Sequence, residues 1–289
     1  MDLKYLEPVD DGLPARPSRE HTKLKLNALR RFIYMFTTAM KDKWEIRTYI
    51  DLLAGPGKVT IDRASSFQSA EFHLGSPLIA LTTDYPFTHY WFVEKDENHF
   101  EALEKRVSSS QIDSRIKIIN NDCNVAVDDI CREIESLKGS INMAFLDPEG
   151  LELPWNTIEK LAKIDRMDLI VLFSTSGFLR NVVNCFENET YATLDRVFGG
   201  TEWRNEFSRG RGQFDKRRMI EYYKGLFKPY GYRFKELPVK NSKNAELYRL
   251  IGGGKHHLAV EFWEKSVKGA ENEIYGPQTK FLPGIEELT

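Results

Sequence analysis

The fold of this chain is constrained most by one stretch, residues 49–58, which reads Tyr-Ile-Asp-Leu-Leu-Ala-Gly-Pro-Gly-Lys. Its first half is an apolar run interrupted only by Asp51, which is typical of a buried parallel strand. Gly55 and Gly57 follow, and glycine lets the backbone approach a ligand closely because it has no Cβ. Ligands bind at the carboxyl ends of the strands in open α/β sheets. The stretch therefore predicts a central strand followed by a nucleotide-binding loop.

Further strand-like segments alternate with helical patterns as far as Gly177, which predicts a doubly wound, mostly parallel sheet. Two last strands are predicted within 231–251. We therefore expect an α/β protein with a seven-stranded sheet of the Rossmann-like class I methyltransferase type, an N-terminal helix and helical additions. The expected organisation is a lead-in and helix at 1–45, the core at 46–177, a helical insertion at 178–230, two strands and a closing helix at 231–268, and a tail at 269–289.

Residues 60–74 are polar and lack a clear period, so we expect an irregular insertion between the glycine loop and the next helix. Long loops in compact domains are often functional, and this one is expected to lie over the site. Helix starts are predicted from residues that favour the N-cap position. The three predicted N-caps are Ser18, Asn124 and Ser76, the last of which is followed by Pro77.

Acidic residues follow three of the predicted strands. Glu94 ends the second strand, at a spacing from Ser76 that suits a carboxylate accepting hydrogen bonds from both ribose hydroxyls of a nucleoside. Asp122 follows the third strand, where it either accepts from an adenine amine or caps the next helix. Asp147, with Pro148, follows the fourth strand. Because the carboxyl ends of parallel strands meet at one edge, these residues are expected to converge there.

This ordered series favours S-adenosylmethionine as the cofactor over NAD. The fingerprint Gly-x-Gly-x-x-Gly of NAD-binding loops is not met, because Thr60 stands where its third glycine would be. The Gly-Lys-Ser/Thr of nucleoside-triphosphate loops is also missing. The predicted cofactor-binding residues are Asp51, Ala54, Gly55, Pro56, Gly57, Ser76, Glu94 and Asp122.

Asp147 and Pro148 are the predicted catalytic residues. The Asp-Pro pair resembles the Asp-Pro-Pro-Tyr of methyltransferases that act on amino groups of nucleic-acid bases, in which the Asp side chain and the following carbonyl hold the target amine. Glu149 and Gly150 replace the second Pro and the Tyr here. Trp155 is a candidate to supply the missing stacking surface, and the alternative is a core tryptophan at a helix start.

Residues 204–224 contain seven basic and three acidic residues with aromatics between them, a composition that suits contacts with phosphates and stacking on bases. We predict that Arg217 and Arg218 bind a nucleic-acid substrate here, and the alternative is a solvated helix face. His21, Lys23 and Lys25 lie near the start of the first helix, and they belong either to a lid or anion contact or to a solvated helix end.

The chain also resembles a known family, the three-Cys-motif partner proteins, from about His21 to Trp263. The resemblance implies a Rossmann-type methyltransferase domain, with the loop glycines, Asp51 and Glu94 as cofactor contacts, whose partner is a protein with a three-cysteine, iron–sulfur-type motif. The matching segments are His21-Thr22-x-x-Lys25, 49–57, 75–81, 145–150 with Pro154-Trp155, and Lys255-His256.

Composition narrows the classes of protein to which this chain can belong. The net charge of −2 argues against a surface that grips nucleic acid everywhere. The three cysteines contain no Cys-x-x-Cys pair, which argues against a disulfide framework or a metal site. With no signal-type segment and no long apolar run, a cytoplasmic location without a membrane partner is expected. Two functions stay open, a methyltransferase acting on an amino group of a nucleic-acid base and a non-catalytic partner subunit of an iron–sulfur protein.

Overall fold

A computed structural model describes residues 6–61, 70–108, 115–188, 191–207, 216–240 and 244–276. The strands are β1 (Arg16–Ser18), β2 (Ile46–Asp51), β3 (Lys58–Ile61), β4 (Glu71–Leu74), β5 (His89–Glu94), β6 (Ile116–Asn120), β7 (Ser140–Leu146), β8 (Met167–Phe173), β9 (Arg233–Lys240) and β10 (Glu246–Gly254). The helices are α1 (His21–Met40), α2 (Ser76–Leu81), α3 (Glu97–Ser108), α4 (Cys123–Ser136), α5 (Trp155–Lys163), α6 (Thr175–Asn188), α7 (Ala192–Phe198), α8 (Trp203–Phe207), α9 (Lys216–Gly225) and α10 (His257–Tyr275). None of these helices is long and apolar enough to cross a membrane.

The main sheet has seven strands in the order β6-β5-β2-β7-β8-β10-β9. The first five of these are parallel, and β10 runs antiparallel to both of its neighbours. Strand β2 lies inside the sheet, with Ile50 opposite Trp91 on one side and Ala144 on the other. This architecture confirms the predicted fold class, and it places the glycine loop at the middle of the carboxyl edge.

The two faces of the sheet bury separate apolar cores. Tyr49 and Ile50 are both buried, and they pack into different cores because successive side chains of a strand point to opposite faces. Helices α1, α2, α3 and α10 cover the face of Tyr49, while α4 to α9 cover the face of Ile50. A sheet covered on both faces is what the near-continuous apolar strands require.

The first connection of the sheet differs from the expected irregular loop. Strands β3 and β4 pair antiparallel, with Lys58 opposite Leu74, and β1 adds to β3 in parallel to make a three-stranded sheet. Val59 and Ile61 are buried, so a short alternation of apolar residues is present within a polar segment. The prediction of an unpatterned insertion was therefore wrong for both ends of 60–74, and residues 62–69 lie outside the described ranges.

Three predicted N-caps are also wrong. Ser18 lies in β1, and Glu20 occupies the N-cap position of α1 without a capping hydrogen bond from its side chain. Gly75, rather than Ser76, is the N-cap of α2. At α4 the cap is Asp122 instead of Asn124, because the Asp122 carboxylate accepts the backbone N–H of Asn124 at 2.9 Å.

Asp168, near the start of β8, gives a prediction about stability. Burial raises the pKa of its carboxyl from 3.8 to about 8, and a Cβ at Gly254 would overlap the carboxylate. The folded protein therefore binds more protons than the unfolded chain between these two values, and the free energy of unfolding falls as the pH rises through that window. We expect Asp168→Asn to gain stability relative to wild type between about pH 5 and about pH 9, by an amount on the order of 2 kcal/mol.

Urea denaturation at the two pH values measures this effect. Asp165→Asn is the matched control, because Asp165 is an exposed neighbour in the turn that precedes β8. If the free energy of unfolding of Asp168→Asn falls with pH as steeply as that of the wild type, the loss of stability at high pH does not come from Asp168.

Candidate active site

A cavity of about 680 Å³ opens at the carboxyl edge of the main sheet. Its floor is the glycine loop, and its walls come from the segment Arg16–Lys25 on one side and from residues after β7 and β8 on the other. Seven predicted site residues line it, namely Ala54, Gly55, Pro56, Gly57, Ser76, Asp147 and Pro148. The structure therefore brings the predicted loop and the predicted catalytic pair into one cavity.

The glycine loop has a backbone that only glycine adopts readily. Gly55 and Gly57 have φ angles of +64° and +91°. A Cβ on Gly57 would meet Leu103 at 3.0 Å, and one on Gly75 would meet the Gly57 carbonyl oxygen at 2.9 Å. That oxygen accepts the Gly75 N–H at 2.7 Å. The loop is thus fixed by close backbone packing before any ligand arrives.

We expect Gly57→Ala to destabilise the protein by about 2–3 kcal/mol, since a left-handed backbone costs a non-glycine residue about 1–2 kcal/mol and the contact with Leu103 adds to it. Chemical denaturation measures the loss. Gly139→Ala is the matched control, because Gly139 has φ +78° and no atom within 4 Å of its Cβ position. Equal losses in the two variants would show that close packing at Gly57 contributes nothing.

Asp51 lies beneath the loop and is fully buried. The pKa of its carboxyl is raised from 3.8 to about 7, with burial as the largest cause; hydrogen bonds from the Ser76 hydroxyl and the Leu53 N–H lower this pKa, while the charges of Asp147 and Glu94 raise it. Its Oδ2 atom has no hydrogen-bond partner within the described part of the chain. Asp51 does not line the cavity, so the structure places this predicted cofactor residue behind the loop and not at the cavity wall.

Glu94 is joined directly to the glycine loop. One carboxylate oxygen accepts the Gly55 N–H at 2.8 Å, and the other accepts the Asp96 N–H at 2.8 Å. Each carboxylate oxygen keeps a second lone pair, so both can still accept from a pair of hydroxyls. Glu94 therefore lies beside the loop, as the sequence predicts. It does not line the cavity itself.

Asp122 is the N-cap of α4, and Lys95 pairs with it at 2.9 Å. The hydrogen bond from Lys95, which has the larger effect, and the one from the Asn124 N–H both lower the pKa of the Asp122 carboxyl. The sequence left two roles open for Asp122, contact with an adenine amine or the cap of the next helix, and the structure shows the cap. Asp122 does not line the cavity.

Both acids of the Asp-Pro-Glu segment are paired with the N-terminal segment. Lys25 of α1 contacts Asp147 at 2.5 Å, and Arg16 forms an ion pair with Glu149. His21 also lines the cavity. The start of α1 therefore lines the cavity, and its predicted role as a lid or anion contact stays a prediction. Among the described residues no group of three or more His, Cys, Asp or Glu side chains could hold a metal ion.

The three predicted substrate-binding residues lie elsewhere. Trp155 is buried in the core, where its ring packs edge-on against Phe227 at 4.6 Å between centroids. Arg217 and Arg218 are exposed on α9, and Arg218 pairs with Glu206 at 2.8 Å. None of the three lines the cavity.

The rest of the predicted basic stretch is largely committed within the protein. Arg204 pairs with Asp195, and Lys224 pairs with Glu236. Phe207 and Tyr223 are buried in the core. Arg209, Arg211 and Phe214 lie outside the described residues.

Sequence reasoning missed several cavity residues, chiefly Arg16, Arg19, Arg180 and Tyr248. They come from β1, the turn before α1, α6 and β10, which folding brings together across the chain. Only Tyr248 carried a local signal, since it lies in a predicted strand, and nothing in that pattern pointed to a site.

No known protein-family model matches this chain, and no curated protein matches it. Among solved structures it is similar to protein LPL1258 from Legionella pneumophila str. Philadelphia 1, with a TM-score of 0.52 and 10% identity over 88% of this chain and 94% of that one. Trm1 from Pyrococcus horikoshii, solved with S-adenosyl-L-methionine, gives a TM-score of 0.45 and 10% identity over 86% of this chain and 58% of that one. The METTL16 MTase domain gives 0.42 and 10% identity over 81% and 68%.

At this level of identity the Legionella protein shows the fold alone. The strand order of the main sheet is that of a doubly wound, Rossmann-like fold.

Proposed function

We propose that this protein is an S-adenosylmethionine-dependent methyltransferase. The observation that carries the proposal is the cavity, in which a glycine loop with two left-handed residues faces Asp147 and Pro148. The fold class and the acid that braces Gly55 support it. Bound there, S-adenosylmethionine would supply a methyl group made electrophilic by its sulfonium.

Several residues of the loop region fit this cofactor. Gly55 and Gly57 give a ligand close access to the backbone. The free lone pairs of Glu94 would accept hydrogen bonds from the two ribose hydroxyls. Asp51 is buried beneath the loop and does not line the cavity, so it would act on a bound cofactor through the loop. Asp122 holds the adjoining helix start in place through its cap.

Asp147 and Pro148 would hold the methyl acceptor. We propose that the acceptor is an amino group of a nucleic-acid base, whose N–H bonds the Asp147 carboxylate and the Pro148 carbonyl would accept. The bound cofactor would supply the methyl group and leave as its thioether, and Asp147 would accept the proton that the acceptor amine loses. Positioning for in-line attack supplies most of the rate in such a transfer. Lys25 keeps the Asp147 side chain in one orientation.

Incubation with methyl-labelled S-adenosylmethionine and separate pools of RNA and DNA tests this function. Digestion to nucleosides and mass spectrometry should find labelled N-methylated bases in one of the pools. Asp165→Asn should retain this transfer, because Asp165 lies at the opposite edge of the sheet. Absence of label from both pools, in a protein that binds S-adenosylhomocysteine, would contradict a nucleic-acid acceptor.

A second candidate is a non-catalytic partner subunit of a three-cysteine iron–sulfur protein. The observation that favours it is that Lys25 and Arg16 already pair with both acids of the Asp-Pro-Glu segment, leaving the acceptor position neutralised. The resemblance to the three-Cys-motif partner proteins supports the same candidate. Co-purification with such a protein, without methyl transfer by either chain, is its expected result.

A further inference from the structure

The wall of the candidate active site carries more positive than negative charge. Five basic side chains and two carboxylates line it, in addition to His21. Most of them are paired, since Lys25 contacts Asp147, Arg16 contacts Glu149 and Lys58 contacts Asp11 at 2.8 Å. The remaining two are Arg19 and Arg180, both exposed, and neither has an ion-pair partner within the described ranges.

The proposed cofactor does not account for these two guanidinium groups. S-adenosylmethionine carries a carboxylate, an ammonium and a sulfonium, so it adds one net positive charge to a wall that is already positive. Like charges without compensation disfavour binding. The single carboxylate of the cofactor can pair with one guanidinium group at most, which leaves at least one of Arg19 and Arg180 for a negative group of the methyl acceptor.

The pKa of His21 reflects the positive charges at this wall. Burial lowers the pKa of its imidazole, and the charges of Lys25 and Arg19 lower it further. The ring is therefore neutral near pH 7, and it packs edge-on against Tyr248 at 5.7 Å between centroids. Lys25 and His21 thus both lie beside the Tyr248 ring, and Arg19 lies close enough to His21 for its charge to act on the imidazole.

Tyr248 adds an independent observation. Its side chain is only 8% exposed, it lines the cavity, and its hydroxyl has no hydrogen-bond partner within the described part of the chain. Burial and the charge of Asp147 raise the pKa of the phenol, so the hydroxyl remains a neutral donor. A buried donor left unpaired is costly, and an acceptor oxygen from a ligand would remove that cost.

We propose that Arg19, Arg180 and Tyr248 form a subsite that binds a phosphate group of the methyl acceptor. Phosphate suits this set because its oxygens only accept hydrogen bonds, whereas a guanidinium and a phenol hydroxyl both donate. The identification of the group as part of an acceptor rests on the proposed function. The binding of phosphate itself does not, and it can be measured without cofactor.

The subsite also replaces α9 as the expected contact with nucleic acid. Arg204, Arg218 and Lys224 of the predicted basic stretch are paired, and α9 lies outside the cavity wall. The two assignments make opposite predictions for two pairs of exposed arginines, which allows a direct comparison with equal changes in charge.

The test measures binding of a fluorescein-labelled, twelve-nucleotide single-stranded RNA by anisotropy over a range of salt concentrations, without cofactor. Arg19→Ala with Arg180→Ala should lower the affinity at least ~10-fold and reduce the salt slope by about 2, because two phosphate contacts are lost. Tyr248→Phe should lower it about threefold. It should fold normally, since the hydroxyl it removes has no partner. Arg217→Ala with Arg218→Ala is the matched control and should change little.

Competition with AMP separates the two sources of phosphate. Displacement of the RNA by AMP at a similar affinity assigns the subsite to a free nucleotide, and weak displacement assigns it to a polynucleotide. Each result supports a phosphate subsite. A larger loss in the α9 pair than in the Arg19 and Arg180 pair, or no binding of either probe by the wild type, would overturn it.

Parallel titration with S-adenosylhomocysteine keeps this inference separate from the proposed function. Cofactor binding without binding of RNA or AMP defeats the subsite and leaves the cofactor site standing. Binding of RNA that depends on Arg19 and Arg180, without binding of S-adenosylhomocysteine, supports the subsite and contradicts the methyltransferase.

Discussion

Glu94→Ala is expected to lower the affinity for S-adenosylhomocysteine by about 100-fold. The variant loses the proposed hydrogen bonds to the two ribose hydroxyls, and hydrogen bonds to charged groups contribute about 1.5–3 kcal/mol each, where 1.4 kcal/mol is tenfold in affinity. It also loses the 2.8 Å brace on the Gly55 N–H, so the loop itself is less fixed. Calorimetric titration of the purified variant measures the change.

Two matched variants sharpen this experiment. Glu97→Ala removes an acid three residues away, in the first turn of α3, and should leave the affinity unchanged. Glu94→Gln keeps the shape of the side chain and removes its charge, so it should show an intermediate loss. An affinity in Glu94→Ala within threefold of wild type would remove Glu94 from the cofactor site.

Asp147→Asn is expected to lower the rate of methyl transfer by about 100-fold or more, the range in which a positioned proton acceptor contributes. The affinity for S-adenosylhomocysteine should change little, because the acceptor rather than the cofactor contacts this side chain. The loss should therefore fall on kcat. The measurement is the initial rate of label transfer into the nucleic-acid pool that the wild type modifies.

Lys25→Met tests how far the ion pair with Lys25 positions Asp147, because the variant removes the partner and keeps the carboxylate. It removes the partner that holds Asp147 at 2.5 Å, and it leaves a mostly buried carboxylate without an ion pair. We expect it to lower the rate less than Asp147→Asn does and to change the pH profile of the reaction. An Asp147→Asn protein with the wild-type rate would show that this carboxylate takes no part in the transfer.

Much of this site follows from local sequence. Strand β2 and its glycines are recognisable because a buried parallel strand reads as an apolar run and its loop needs residues without a Cβ. Glu94 and Asp147 follow from the same logic, since parallel strands deliver their carboxyl ends to one edge. These are features whose signal lies within a few neighbouring residues.

The parts that sequence did not reveal depend on distant contacts. The β3–β4 hairpin is stabilised partly by β1, whose residues lie some forty positions earlier, and its alternation covers only a few residues within a polar segment. Trp155 starts a helix, where a core residue and a stacking residue have the same pattern. Arg180 and Tyr248 reach the cavity only because α6 and β10 pack beside it.

Calorimetric titration of the intact protein with S-adenosylhomocysteine tests the central claim most directly. The cavity, the left-handed glycines and the brace from Glu94 predict saturable binding at a single site with micromolar affinity. Absence of binding at millimolar ligand, in protein shown to be folded, would contradict a cofactor site at this edge of the sheet and would favour the partner-subunit function.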